Sequence, residues 1–345
     1  MKNKIWVNIG FQAGALVVAL VITTLILVAA GAPPLEAYGS ILSGAFGSSN
    51  NLVAVLITWS PLLLTTAGVL ITFAAGLWNI GVEGQMVLGS IFTTWLLRLL
   101  QNSTLHPTLI IILGILFGII GGALWAALAG ALKTFGGVNE IFGGLGLNFV
   151  ATALTIYLVF GPWKRPGVGS MSGTQPFPEK LWLPTLSNTG LSPWALGISI
   201  LAVVIVYLLL RGTYFGLRLK AVGKNMKAAF LLGVPTWQYS MFSFLLCGAL
   251  VGLAGAIQVV AVYHRLLPNI SNGYGFLGLL VAMLINYQAF WVIPIAFFFA
   301  ALNVGSVQLQ ILYKMDSSFA GVLQDLLVLF VLLGQGLRER VLRRT

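Results

Sequence analysis

Charge is what this sequence has least of. Only 7% of its 345 residues are Asp, Glu, Lys or Arg, and just seven of them are acids. So little polar surface cannot cover a soluble domain of this length, and that class is excluded. The single cysteine, Cys247, lies inside an apolar run, can form no intrachain disulfide and reads as packing. Two histidines, His106 and His264, fall in predicted turns without a Cys or carboxylate cluster, which argues against a metal centre. No Gly-x-x-x-x-Gly-Lys-Ser/Thr loop is present. The nearest fragment, Gly223-Lys224-Asn225, lacks both its spacing and its hydroxyl, so the chain by itself is not expected to hydrolyse ATP. No catalytic cluster supports an embedded enzyme, and no cofactor is implied.

What the chain does have is apolar length: 59% of its residues are hydrophobic and 41 are glycine. Glycine at that frequency suits helices packed closely in lipid, where small residues let backbones approach. The fold class is therefore all-α and polytopic, a chain of transmembrane helices. The formal charge of +11 falls on particular positions. Lys2, Lys4, Lys133, Arg211, Arg218, Lys220, Lys224, Lys227, Arg338, Arg340, Arg343 and Arg344 fall on one side of the topology drawn below, leaving six basic residues on the other. That asymmetry follows the positive-inside rule, sets both termini in the cytoplasm and removes the case for nucleic-acid binding.

About ten crossings can be drawn at the length a bilayer requires. They are placed near 6–30, 52–75, 86–100, 108–132, 140–160, 194–210 and 237–263, with two more between 275 and 312 and the last at 319–335. The first run is too long for the core of a secretory signal and is expected to be retained. Pro33 and Pro34 stop it, and an external segment is expected up to Asn51. Residues 161–193 read as an external loop and 211–235 as a cytoplasmic one, within a single transmembrane domain covering 1–345. Gly122–Ala131 and Gly248–Ala256 echo each other on spans of opposite predicted direction, as an inverted repeat requires.

Several polar residues stand out against this background. Asn79, Glu83 and Gln85 lie in the glycine-broken stretch Gly76–Gln85 between two apolar spans. A carboxylate at membrane depth is costly unless paired or facing water, so Glu83 reads as a pathway residue, as the cap of a broken helix, or as both. Trp78 beside it offers a ring for a planar solute, as do Trp59, Phe73, Phe92, Trp95 and Phe149. Asn139-Glu140 reads as an N-cap with a dipole-matched acid. Asn148 and Asn286 line a pathway or bond between helices, Gln258 shares that ambiguity, and Asp325 is either a proton-relay acid or a packed one.

In the basic stretch, Met226, Ala229 and Phe230 are expected on one helical face, with Lys224 and Lys227 opposite and Gly223 and Gly233 flanking. Pro235 prevents continuation into the next span. The result is a short amphipathic helix under the membrane, bound either to anionic lipid or to a cytosolic partner.

These residues carry a resemblance. Asn79-Ile-Gly-Val-Glu-Gly-Gln85, Asn139-Glu-Ile with Leu147-Asn148, Gly216–Gly223 with Ala228-Ala229 and Gly233-Val234, Ser243–Gly255 and Gly273–Phe276 resemble the bacterial ABC importer permeases of the branched-chain amino acid and simple-sugar group. Within that group the order and wording are most similar to the nucleoside-uptake permeases, over about residues 50 to 340. The resemblance implies a type II importer-like permease of about ten helices with inverted repeats, set in the bacterial cytoplasmic membrane. It implies a second, similar permease, two cytosolic ABC ATPase subunits, an extracytoplasmic substrate-binding protein, and alternating access. It places a coupling helix at about Lys224–Gly233, with Gly223, Lys224, Lys227, Ala228, Ala229, Phe230 and Gly233 at the ATPase contact. Where similar sequences carry Thr and Met between the Asn-Glu and Leu-Asn elements, this chain has Gly143, Gly144 and Gly146. They also tend to carry a glycine and a polar pair near Asn286, where this chain has Leu284-Ile285-Asn286-Tyr287. The rival reading is a proton-coupled carrier working through Glu83, Glu140 or Asp325.

Overall fold

The structure, a computed structural model, describes residues 2–167, 173–186, 189–285, 288–316 and 319–344. Among them the regular elements are helical: α1 (Lys2–Ala29), α2 (Pro34–Phe46), α3 (Ser49–Ala74), α4 (Val82–Leu100), α5 (Pro107–Thr134), α6 (Glu140–Phe160), α7 (Pro193–Gly212), α8 (Tyr214–Lys224), α9 (Met226–Leu231), α10 (Thr236–Ile257), α11 (Tyr274–Leu284), α12 (Val292–Gly305), α13 (Val307–Tyr313) and α14 (Phe319–Arg344). Among the described residues, six helical segments are long and apolar enough to cross a membrane, with a seventh if α1 and α2, bent by 105° at their junction, count as one.

That count is smaller than the ten crossings drawn from sequence, and other segments differ from expectation too. Residues 34–46, expected as external chain, form α2: Pro34 at the first helical position presets its φ, and Glu36 complements its dipole. The region 275–312 holds one full-length apolar helix, Ala289–Tyr313, preceded by α11, which at 11 residues is too short to cross by itself. α4 is surrounded by protein rather than lipid, with every residue from Val82 to Ile91 buried, so its composition need not be apolar throughout.

The chain divides into two compact units, Met1–Val55 with Phe297–Thr345, and Leu56–Ala296. The first has a small core of Leu27, Ala37, Ile41, Leu309 and Leu323. The second is built on α4, α5 and α10, which meet through glycine. A Cβ on Gly89 would lie 2.9 Å from the Gly252 carbonyl carbon, and one on Gly122 would lie 2.8 Å from the Gly252 nitrogen. The two echoing sequences around Gly122 and Gly248 are thus packed directly on each other. Hydroxyls bridge the same helices: Ser90 donates to the Gly255 carbonyl and Thr93 to the Gly114 carbonyl, each at 3.0 Å. α10 continues as a π-helical turn, Gln258–Tyr263, and His264 then reverses the chain at φ 55°.

Candidate functional site

α3 ends at Ala74, and the chain turns through Gly76 at φ 72° before re-entering helix at Val82. The backbone groups freed between those helices require partners in a dry interior. Asn148, reaching from α6, supplies two of them: its Oδ1 accepts from the Gly84 amide at 2.8 Å, and its Nδ2 donates to the Ile80 carbonyl at 2.9 Å. α6 can approach so closely because residue 144 is glycine. A Cβ there would lie 2.6 Å from the Gly81 nitrogen, so glycine in place of a larger residue is a condition of the clasp.

Inside the clasp, Asn79 and Gln85 form a reciprocal amide pair. Asn79 Nδ2 donates to Gln85 Oε1 at 3.2 Å, and Gln85 Nε2 donates to Asn79 Oδ1 at 3.0 Å. Asn79 also donates to Cys247 Sγ at 3.1 Å, which ties the loop to α10. Both amides are fully buried. Trp78 stands at their rim, 39% exposed, its ring edge-on to Phe73 at 5.2 Å.

Glu83 points elsewhere. Its Oε1 accepts from the Gly273 amide at 3.0 Å, at the start of α11. Gly273, at φ 75°, has no side chain with which to cap that helix, so a carboxylate from α4 does so and meets the positive end of its dipole. Of the other acids a proton-coupled carrier would need, Glu140 pairs with Lys133 at 2.6 Å and Asp325 is exposed on α14 in the other unit. Asn139 caps α6 as expected, accepting from Ile141 N at 2.9 Å. Asn286 lies outside the described residues. Among the remaining ring candidates, Trp59 donates to the Ile293 carbonyl at 3.1 Å, Phe92 and Trp95 cluster with Phe117, and Phe149 is exposed.

The basic stretch is more helical than its sequence suggests. Arg211 belongs to the last turn of α7, Lys224 ends α8, and α9 is confined to Met226–Leu231. Asn225 separates the two short helices by accepting from Ala228 N at 3.0 Å, and Gly233, at φ 79°, closes α9 with Val234 N bonded back to the Ala229 carbonyl. Within α9, Ala229 is buried while Met226 and Phe230, at the helical spacing expected of a shared face, are exposed together with Leu231 and Leu232. In so short a helix the inward face holds one small residue, and the apolar bulk is left outward.

Gly223 connects this segment to the amide pair. A Cβ on it would meet the Ala74 carbonyl oxygen, the Gly76 nitrogen at 2.8 Å and the Ala75 carbonyl carbon at 2.9 Å. The end of α8 therefore rests backbone-on-backbone upon the turn that carries Asn79, three residues on. Sequence reasoning singled out Gly76, Gly144 and Gly273 without their contacts, and read Cys247 as packing rather than as a partner of Asn79.

A helical chain with several apolar spans and a buried polar break in its centre is a multi-pass membrane protein, and the comparisons specify its kind. The chain belongs to the family described as branched-chain amino acid transport system / permease component, whose model matches residues 51–334. It is thus a transport subunit of an ABC permease and not itself catalytic. It is 30% identical over 339 residues to a glucose ABC transporter permease protein of Haloferax volcanii, covering 95% of this chain and 88% of the relative. To a guanosine ABC transporter permease protein of Bacillus subtilis it is 27% identical, with 92% and 91% covered. A nucleoside ABC transporter permease protein of Lactococcus lactis is 25% identical, with 85% and 82% covered.

Proposed function

We propose that the chain is the translocation subunit of an importer for nucleosides or a related small polar solute, working by alternating access. The observation that carries this is the seating of Gly223 on the Gly76 turn, which gives a force applied to α8 and α9 a rigid route to the Asn79–Gln85 pair. In the proposal, Asn79, Gln85, Asn148, Glu83, Trp78 and Asn286 line the solute path. In this conformation the amides are satisfied by one another, and in the opposite one they are offered to solute. The exposed Phe230, with Lys224, Lys227, Ala228 and Gly233, is the contact for a cytosolic ABC ATPase, which supplies the hydrolysis that this chain does not. A second, similar permease completes the pathway, and an extracytoplasmic binding protein delivers the solute; nucleic acid has no part.

The proposed topology keeps both termini cytoplasmic in the bacterial cytoplasmic membrane, with about ten crossings. Residues 161–193 are then outside and 211–235 inside, in one permease domain with inverted repeats. The packing of Gly122 against Gly248 and Gly252 supports a pseudo-symmetric core. Truncating Phe230 to Ala, or introducing Lys224→Glu with Lys227→Glu, is expected to abolish ATP-driven uptake while membrane insertion survives. Uptake unchanged in both would overturn the coupling assignment. Competition between guanosine and glucose for uptake by the intact transporter decides the solute class, with guanosine expected to win.

A further inference from the structure

The junction of α7 and α8 carries a cavity of about 300 Å³ lined by Tyr207, Leu210, Arg211, Lys220, Gln288 and Phe290. Its two cations have donors to spare. Arg211 has one N–H on the Tyr207 hydroxyl and lies over that ring, 5.6 Å from its centroid, and Lys220 donates to the Leu210 carbonyl at 2.6 Å. A guanidinium has five N–H donors and an ammonium three, so most remain to be satisfied. Among the described residues no carboxylate lines the cavity. It shares Tyr207 and Phe290 with a second space of about 230 Å³ lined by Val203, Val204, Ile293 and Pro294, with almost no polar surface. Val204 and Phe290 are exposed, so this groove opens to the surroundings of α7.

A cationic pocket that runs directly into an apolar groove matches a molecule with an anionic head and a hydrocarbon tail. Inorganic phosphate would satisfy the donors and leave the groove unfilled; a neutral lipid would fill the groove and leave the donors unmatched. We propose that this is a binding site for an anionic phospholipid. Its headgroup phosphate sits between Arg211 and Lys220, and an acyl chain lies along Val203, Val204 and Ile293. Lys220 belongs to α8 and Arg211 to α7, so the bound headgroup ties the two helices together, three residues before Gly223 along α8. The site requires only that the α7–α8 junction lie at a membrane surface, so its failure would leave the permease reading standing.

The test is equilibrium binding of fluorescent phosphatidylglycerol and phosphatidylcholine to the full chain, purified in a non-ionic detergent. A basic side chain near an anionic lipid surface contributes about fivefold in affinity, so Arg211→Gln with Lys220→Gln is expected to lower phosphatidylglycerol affinity by about thirtyfold and leave phosphatidylcholine unchanged. The charge-preserving pair Arg211→Lys with Lys220→Arg should retain most of the preference, which separates lost recognition from misfolding. Val204→Trp, which fills the groove without touching charge, should weaken both lipids. A preference that survives the double Gln variant, or that is lost equally in Lys224→Gln with Lys227→Gln, would overturn the site. Complete displacement of the lipid by millimolar inorganic phosphate would overturn it too, in favour of a soluble anion.

Discussion

The seat of Gly223 on the Gly76 turn can be tested by adding one methyl group. In Gly223→Ala the new Cβ would lie 2.8 Å from the Gly76 nitrogen and still closer to the Ala74 carbonyl oxygen, all of it backbone that cannot swing away. Relieving the closest of these contacts needs the two strands of chain to part by roughly 1 Å. Asn79 is three residues further on, and its bonds to Gln85 at 3.0 and 3.2 Å have little slack before they cease to be hydrogen bonds. Overpacking of this kind costs about 1–3 kcal/mol. If the strain exists in only one of the two transport conformations, it shifts their balance by about 5- to 150-fold. The assay is solute transported per ATP hydrolysed by the reconstituted transporter, and the ratio should fall at least severalfold while hydrolysis continues. Gly197→Ala is the control, since a Cβ there meets nothing within 4 Å and should leave the ratio intact. An unchanged ratio in Gly223→Ala would refute mechanical transmission through this contact.

Three further outcomes are expected. Asn148→Leu strands the Gly84 amide and the Ile80 carbonyl; at about 1–3 kcal/mol for each buried group it should markedly lower the thermal unfolding midpoint in detergent and abolish uptake. Glu83→Gln keeps an acceptor for the Gly273 amide and should retain most ATP-driven uptake, whereas Glu83→Ala should not; loss in the Gln variant would favour a titrating role. The segment holding Trp182 is pinned to the chain after α10, with Trp182 stacked on His264 at 3.7 Å and Phe177 N and Leu183 N bonded to the His264 and Val260 carbonyls. Burial holds the His264 imidazole below its ordinary 6.5, so the folded form binds its proton less readily than the unfolded one. Stability from this contact is present above that value and is lost as pH falls below it. Protection of the Phe177 and Leu183 amides, measured against the intrinsic exchange rate at each pH, should therefore fall toward pH 5, and His264→Phe should remove that dependence.

The parts of the fold that the sequence discloses are those governed by local chemistry. α6 begins and ends where expected because Asn139 and Glu140 mark its start and the following run to Phe160 is predominantly apolar. The polar break at Gly76–Gln85 was visible as a set of amides and an acid, but their partners were not. Whether Asn79 bonds to Gln85, to Cys247 or to solute depends on helices that are distant in sequence. Glu83 illustrates the same limit: its capping role belongs to α11, 190 positions away along the chain. α2 was hidden because Gly39, Ser40, Ser43 and Gly44 read as turn residues, although Gly44 serves close packing against Gly305. Which residues of α9 would be exposed was not legible because a six-residue helix is oriented by its neighbours rather than by its own periodicity.

Uptake of labelled guanosine into proteoliposomes holding the permease with its ATPase and binding protein, with internal ATP maintained and the proton gradient collapsed by an ionophore, bears on the central claim most directly. Uptake that continues at an undiminished rate and stops when ATP is removed is the expected result. Uptake that stops with the gradient while ATP remains high would contradict it.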